Sequence, residues 1–346
     1  MAPALRFHRK WSVVLWIDRT EKVIIGKTQH RRWMDTCSRC NKPPITFIRY
    51  SGRHLCRDHF QQFVRSRVRR DLRKQMPLPQ KGRVVAAISG GKDSCASAFL
   101  IKEILEPRRD VELHALAVDE GINGYRDRTL ARAGEFCNAN DIPLHVISFK
   151  EVFGITLDRA VEEPDSQPCS ICGVLRRHCL NRGAKDMGAE ILVTGHNLDD
   201  MAQSIAMDLF KGDVARILRL GPHLKRIPGL VPRVLPLRTI PEKEVYLFAM
   251  ACNLPFEDAQ CPYAVSAQRG VFRDLVFQAE RSIPGTRHAL LQTMSRIREL
   301  AGAGAGKEKE EVKWHQCESC GEPLPGDAQC RTCEMVRSIK DRMNAG

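Results

Sequence analysis

The stretch Arg83–Ser89 (RVVAAIS) is almost uniformly apolar, ends in Gly90-Gly91, and leads into a helix-like segment from Ser94 to Leu105. A strand this short and this apolar is buried on both faces, as a parallel strand covered by helices is. The alternation then continues. Val111–Val118, Leu144–Ser148 and Ile191–Thr194 read as strands; Tyr125–Asn140, Cys172–Gly188 and Leu198–Phe210 read as helices. Strands interleaved with helices predict an α/β fold, a parallel sheet with helices on both faces.

This unit does not fill the chain of 346 residues. Residues 1–33 are strongly basic and hold Trp11, Trp16 and Trp33, three of the four tryptophans. The expectation is that Met34 is the natural start and 1–33 an upstream basic extension. Residues 34–79 form an N-terminal metal module followed by a basic helix, closed by Pro77 and Pro79. Residues 80–261 form the alternating unit. Residues 262–306 are a charged helical segment and the flexible linker Ala301–Gly306, and residues 307–346 a C-terminal metal module. No apolar run approaches the ~20 residues needed to cross a bilayer, so no membrane partner is expected.

Cysteine placement carries more information than the total of 14. Cys37-x2-Cys40 with Cys56-x2-His59, and Cys317-x2-Cys320 with Cys330-x2-Cys333, have the spacing of zinc sites. Tight pairs in a long chain without a secretory leader read as metal ligands in a reducing compartment, here the cytoplasm. Modules this small cannot fold on apolar burial alone, so metal supplies the folding energy. Cys95, Cys137, Cys179 and Cys252 read as buried, inert thiols.

The third set is Cys169, Cys172 and, far downstream, Cys261. No fourth ligand is obvious, since His178 and Cys179 lie inside the predicted helix. Three thiolates suit a cuboidal iron–sulfur cluster with one open iron. A cysteine persulfide resolved by a second cysteine, and a structural site completed by histidine or water, are the alternatives.

Ser89-Gly90-Gly91-Lys92-Asp93-Ser94 has the make-up of a phosphate cradle. Its glycines admit a close polyanion, its N–H groups and helix terminus attract one, and Lys92 adds a charge. The spacing differs from the loop of kinases and GTPases and from the dinucleotide fingerprint. Thr194-Gly195-His196-Asn197-Leu198-Asp199-Asp200 also closes a strand and opens a helix, where parallel sheets bind ligands. Asp199 and Asp200 would hold Mg²⁺, or would simply cap the helix.

The order S-G-G-K-D-S, P-C-S-I-C-G-x-x-R-R, T-G-H-N-x-D-D and C-P-Y resembles the TtcA/TtuA family of tRNA 2-thiolation enzymes, within the PP-loop adenine nucleotide α-hydrolases. The flanking metal modules match the TtuA branch, which includes archaeal and eukaryotic wobble-uridine thiolases, and the likeness covers residues 34 to 336. It implies a Rossmann-like PP-loop catalytic domain over 80–261 flanked by small zinc modules. It implies ATP bound by Ser89, Gly90, Gly91, Lys92, Asp93, Ser94, Asp119, Gly195, His196 and Asp199, with the adenine near Ala117–Asp119. It also implies a [4Fe-4S] cluster on Cys169, Cys172 and Cys261, two zinc ions and Mg²⁺. Asp200 and the three cysteines carry the chemistry. Uridine O2 attacks the α-phosphate of ATP, pyrophosphate leaves, and a cluster-bound sulfide or a persulfide then displaces AMP. Sulfur comes from a ubiquitin-like thiocarboxylated carrier or from sulfide, and relatives point to a homodimer. Some relatives carry Lys where Arg176 stands. Arginine cannot readily lose its proton, so Arg176 and Arg177 are assigned to phosphate or tRNA contact.

The formal net charge of +14 agrees with a polyanionic partner. Gln61–Gln75 carries Arg65, Arg67, Arg69, Arg70, Arg73 and Lys74 against Asp71 alone, and Arg65, Arg67 and Arg69 are the expected tRNA contacts. Two other readings are a PP-loop ligase or amidotransferase, which would not need the three-cysteine site, and a non-catalytic zinc-containing RNA-binding protein.

Overall fold

A computed structural model describes residues 36–162, 166–222, 227–266, 269–303 and 313–345. The expected extension 1–33 and start at Met34 lie outside the described residues.

The chain divides into two compact units, the first ending at Phe60 and the second starting at Gln61. In the first, β1 (Thr46–Ile48) pairs antiparallel with β2 (Arg53–Leu55), Thr46 opposite Leu55 and Ile48 opposite Arg53. The turn between them closes on Gly52 at φ +63, a left-handed conformation that glycine adopts without a side-chain penalty. Ile48 and Leu55 point inward. Helix α1 (Arg57–Gln75) begins here, and its residues from Gln61 on belong to the second unit.

The second unit is built on β3 (Gly82–Ala87), α2 (Lys92–Leu105), β4 (Val111–Asp119), α3 (Arg126–Ala139) and β5 (Leu144–Ser148). The short α4 (Phe149–Phe153) and α5 (Leu157–Ala160), then α6 (Pro168–Asp186), β6 (Ala189–Val193), α7 (Leu198–Phe210), α8 (Val214–Arg219) and β7 (Arg233–Val234) follow. The strands form one parallel sheet in the order β5-β4-β3-β6-β7. Val84 and Val85 point to opposite faces of β3, and both are fully buried. That is why the strand reads as a continuous apolar run. From β3 the chain winds outward through β4 and β5, then returns to place β6 on the other side. Strand order therefore reverses between β3 and β6, and the loops leaving these two strands bound the crevice where such sheets bind ligands.

Helix α6 opens at Pro168, ahead of the Cys172–Gly188 stretch and as the order Pro168–Gly173 suggests, because a proline in the first helical position loses no hydrogen bond and has its φ already set. Cys169 and Cys172 thus share the first turn. The segment expected to be continuously helical over 262–300 breaks into α10 (Arg269–Ser282) and α11 (Thr286–Ala303), preceded by α9 (Glu242–Ala251). The break follows Pro284, and Gly285 adopts φ +101.

The C-terminal module consists of the antiparallel pair β8 (Trp314–Gln316) and β9 (Pro323–Pro325) and helix α12 (Arg331–Ala345). It is locked to α6. Ile339 of α12 joins a core cluster with Phe149, Phe153, Ile171, Leu175 and Cys179. His178, on α6 and almost fully buried, bonds through Nδ1 to the Glu322 carboxylate. Replacing His178 by Ala removes that partner and leaves Glu322 facing a cavity. We expect His178→Ala to destabilise the docked module by about 1 kcal/mol, the net worth of one hydrogen bond to a partly exposed carboxylate. Faster hydrogen exchange across 313–345, with the sheet unchanged, would register it; unchanged exchange would show that Ile339 and its neighbours suffice.

Candidate active site

The turn after β3 is held by its own hydroxyls. Ser89 N–H donates to Ser94 Oγ at 3.1 Å, and Ser94 Oγ donates to Gly91 O at 2.9 Å. Gly90 stands at φ +84, and a Cβ on it would lie 1.9 Å from the Thr129 carbonyl oxygen. Glycine is therefore obligatory there on two counts. Lys92 Nζ lies 2.9 Å from Asp93 Oδ2 and 3.0 Å from Glu242 Oε1. Burial works against its charge, but the two carboxylates outweigh burial and raise its pKa. The loop after β6 meets this turn directly: a Cβ on Gly195 would lie 2.8 Å from Asp93 O.

Asn197 caps α7, its Oδ1 accepting from Asp200 N–H at 3.0 Å while Asp200 Oδ2 accepts from Asn197 N–H at 3.1 Å. Asn197 also donates from Nδ2 to Asp93 Oδ1 at 3.0 Å. Burial raises the pKa of both Asp93 and Asp200, and the charge of Asp200 raises that of Asp93 further. Two desolvated carboxylates beside a phosphate cradle fit a divalent cation, which would relieve their repulsion. Asp199 is engaged elsewhere. Its Oδ2 accepts from Glu242 N–H at 2.7 Å and its Oδ1 from Arg287 Nη1. Asp199 thus latches α7 to α9 and α11, while Asp93 and Asp200 face each other's charge across the two loops. Asp119, at the end of β4, accepts from Gly121 N–H at 2.9 Å and shapes the turn that follows. His196 lies beside Thr194 Oγ1 at 3.2 Å, and desolvation in the cleft together with Arg233, Arg269, Arg176 and Arg177 lowers its pKa to about 4. It is neutral at physiological pH.

Of the three central cysteines, Cys172 belongs to the core cluster that Ile339 enters and Cys261 packs against it. Cys172 is buried, Cys261 half-buried and Cys169 exposed. Cys169 Sγ lies 3.8 Å from Tyr263 O, and burial raises the pKa of both Cys172 and Cys261. Among the described residues they are not part of a compact four-ligand set. A cuboidal cluster attaches each thiolate to a different iron, so wider spacing and three sulfur donors fit it better than zinc. Burial pushes the Cys95, Cys137 and Cys179 thiols up to between about 11 and about 12, as expected of inert thiols.

Arg176 departs from the expectation of tRNA contact alone. Its Nη2 donates to Cys172 Sγ at 2.9 Å, and its Nε lies 2.8 Å from Glu120 Oε1. Glu120 Oε2 in turn lies 2.9 Å from Arg126 Nε, and Arg126 Nη1 donates to the Ser89 carbonyl at 3.0 Å. Sequence reading missed Glu120 and Arg126. The available signal was position: an acidic residue just past the carboxyl end of a central parallel strand faces the crevice. Arg177 forms no ion pair among the described residues, and burial followed by Arg216, Arg331 and Arg176 lowers its pKa.

Arg65 and Arg67 have partners within the fold. Arg65 forks onto Glu103 at 2.7 and 2.8 Å, and Arg67 reaches Glu244 at 3.0 Å, so both guanidinium groups are already held within the fold. Asp71 is buried against Arg238 at 2.7 Å. Arg69, Arg70, Arg73 and Lys74 remain exposed along α1.

The outer metal sets are compact. Cys40 and Cys56 sulfurs lie 3.7 Å apart, Cys37 and Cys56 each lie 3.4 Å from His59 Nδ1, and all four donor atoms fall within 4.8 Å of one another. At the other end the spacings are 3.7 Å for Cys317 and Cys333 and 3.5 Å for Cys320 and Cys330. A tetrahedral zinc with Zn–S bonds of about 2.3 Å places its sulfurs about 3.8 Å apart. Both sets fit.

Gly90→Ala tests the loop. The clash with Thr129 and the left-handed backbone oppose the loop geometry together, so nucleotide affinity should fall at least about tenfold, or about 1.4 kcal/mol. Titration calorimetry with ATP would measure it. An unchanged affinity would place the nucleotide elsewhere.

A family model described as a PP-loop domain matches residues 64–280, and one described as the N-terminal LIM domain of the 2-thiouridine synthetase TtuA matches residues 36–61. The chain is 36% identical over 319 residues to the tRNA 2-thiolation protein NcsA of Haloferax volcanii, covering 88% of this chain and 99% of that one. It is 34% identical to cytoplasmic tRNA 2-thiolation protein 1 of Bos taurus, covering 90% of this chain and 88% of that one. A solved structure, the U34-tRNA thiolase NcsA of Methanococcus maripaludis with its [4Fe-4S] cluster, superposes with a TM-score of 0.75 at 32% identity, over 88% of this chain and 96% of that one. With its strand order, its two-loop crevice and these similarities spanning nearly its whole length, the chain belongs to the PP-loop family of tRNA 2-thiolation proteins.

Proposed function

We propose that this protein is an ATP-dependent tRNA sulfurtransferase that converts a uridine to 2-thiouridine through adenylation of its O2. The observation that carries the reading is the convergence of two chemistries. The glycine turn at the β3/β6 crevice and the thiol of Cys172 are the two ends of one series of contacts, a hydrogen bond at each end and two ion pairs to Glu120 between them. A ligase or amidotransferase would need only the first.

The chain's own residues divide the work. Ser89–Ser94 hold the β- and γ-phosphates, with backbone N–H groups at the start of α2 and the Lys92 ammonium absorbing charge as pyrophosphate leaves. Asp93 and Asp200 hold Mg²⁺ against the triphosphate. Cys169, Cys172 and Cys261 are the residues that would hold a [4Fe-4S] cluster, which supplies an iron free to carry external sulfur. The apolar wall of Ile122, Phe149, Ile171 and Leu175 keeps water from competing with that sulfur. The Cys₃His and Cys₄ sets each hold one zinc. RNA phosphates meet Arg69, Arg70, Arg73 and Lys74 on α1 and the uncompensated Arg177. Sulfide or a thiocarboxylated ubiquitin-like carrier is the sulfur source. Among the described residues no helix is long and apolar enough to cross a membrane, and a cytoplasmic location follows the relatives named for it. Uridine 34 is the first position to examine, since the superposing solved structure is called a U34-tRNA thiolase.

The test is anaerobic incubation of the reconstituted protein with ATP, sulfide and unmodified tRNA, followed by mass spectrometry of the nucleosides. We expect 2-thiouridine, AMP and pyrophosphate, about four irons and two zincs per chain, and loss of thiolation with retained ATP binding in Cys172→Ala. ATP turnover that leaves the RNA free of sulfur would favour the ligase reading.

A further inference from the structure

The geometry points to Glu120 as a positioning residue that couples occupancy of the nucleotide loop to the hold on the sulfur-site thiol. The inference rests on the reading of Cys172 as a cluster ligand. Glu120 follows the last residue of β4 and is 4% exposed. Both of its carboxylate oxygens are committed, Oε2 to Arg126 at 2.9 Å and Oε1 to Arg176 at 2.8 Å. Each arginine then reaches a different working part. Arg126, also 4% exposed, donates through Nη1 to Ser89 O and to Thr129 Oγ1, both at 3.0 Å. Arg176 donates through Nη2 to Cys172 Sγ at 2.9 Å. From the first residue of the glycine turn to the Cys172 thiol the series runs through a hydrogen bond at each end and two close ion pairs at Glu120.

A buried carboxylate and arginine, joined in a triad by a second arginine that is half exposed, are an expensive way to fill space, because desolvating charge is seldom recovered against apolar packing. What it does supply is directional rigidity. A guanidinium is planar and its donors have fixed angles, so a shift at one N–H obliges the others to turn. The nucleotide end is set to produce such a shift. The Gly90 Cα stands hard against the Thr129 carbonyl, one turn along α3 from Arg126, so the turn cannot adjust around a triphosphate without pressing on the segment that carries Arg126. The backbone of Glu120 is fixed independently of its side chain, its carbonyl accepting from Leu157 N–H at 2.7 Å. Neutralising the carboxylate should therefore leave the strand end in place.

Coupling between two sites is reciprocal. If the triad transmits, nucleotide affinity must differ between cluster-free and cluster-loaded protein, by at least about fivefold for a coupling of ordinary size. The ratio of the two dissociation constants is a quantity that a merely structural role for Glu120 would not move. The experiment is anaerobic titration calorimetry with a non-hydrolysable ATP analogue on both forms of the wild type, Glu120→Gln and Arg176→Met, with iron measured on every sample. We expect the wild-type ratio to depart from one and both variants to return it to within about twofold of one, with iron uptake and cluster-free nucleotide affinity retained. Should Glu120→Gln fail to fold, Arg176→Met carries the test, because that side chain is 48% exposed and Glu120 keeps Arg126. A wild type that takes up iron and shows a ratio of one overturns the coupling alone, as does a variant ratio equal to that of the wild type. A wild type that takes up no iron overturns the cluster reading and the coupling with it.

Discussion

Two loops must pass within touching distance for this site to exist, and two missing side chains allow it. Gly195 lets the loop after β6 lie against the Asp93 backbone, and Gly90 lets the turn after β3 lie against α3. With a methyl group at either position the strands could still pair, but the crevice between β3 and β6 would be wedged open. The hydrogen bond from Asn197 to Asp93, which ties the two loops together, depends on that approach. Core packing sets the sheet; the glycines set how closely its two working edges meet.

The parallel sheet was legible because its central strands are buried on both faces and leave no polar interruption to confuse the pattern. Val84 and Val85 on β3 and Ile191 to Val193 on β6 are of this kind. The glycine turn, the second loop and the metal sets were legible from local order alone, since the residues that act together lie within a few positions of each other. Strand β7, only Arg233–Val234, was not legible, because two residues in a proline-rich stretch carry no period to detect. Glu120 and Arg126 were not legible either. In sequence they are charges in a glycine-containing turn, and the fold buries the Glu120 carboxylate only by pairing it with both Arg126 and Arg176, the latter from a distant helix.

The same limit applies to the basic helix. Counting cations along Gln61–Gln75 predicts an exposed polyanion-binding face, but counting does not separate a cation with a partner from one without. Glu103 and Glu244, on helices far along the chain, take Arg65 and Arg67 inward. Asp71, the single local anion, is itself taken by Arg238. The outer face of α1 is thereby more purely positive than the sequence implied, though it carries fewer arginines.

Helix α6 serves two masters. Its first turn carries Cys169 and Cys172, and two turns later His178 grips Glu322, which lies between the metal-type cysteines Cys320 and Cys330. A chain short of zinc would loosen the Cys₄ module and with it one wall of the helix that presents the sulfur-site thiols. On the proposed assignments, loss of metal from the Cys₄ set would impair chemistry at the three-cysteine site while every cysteine of that site remained intact, because one helix is braced by the first and carries the second.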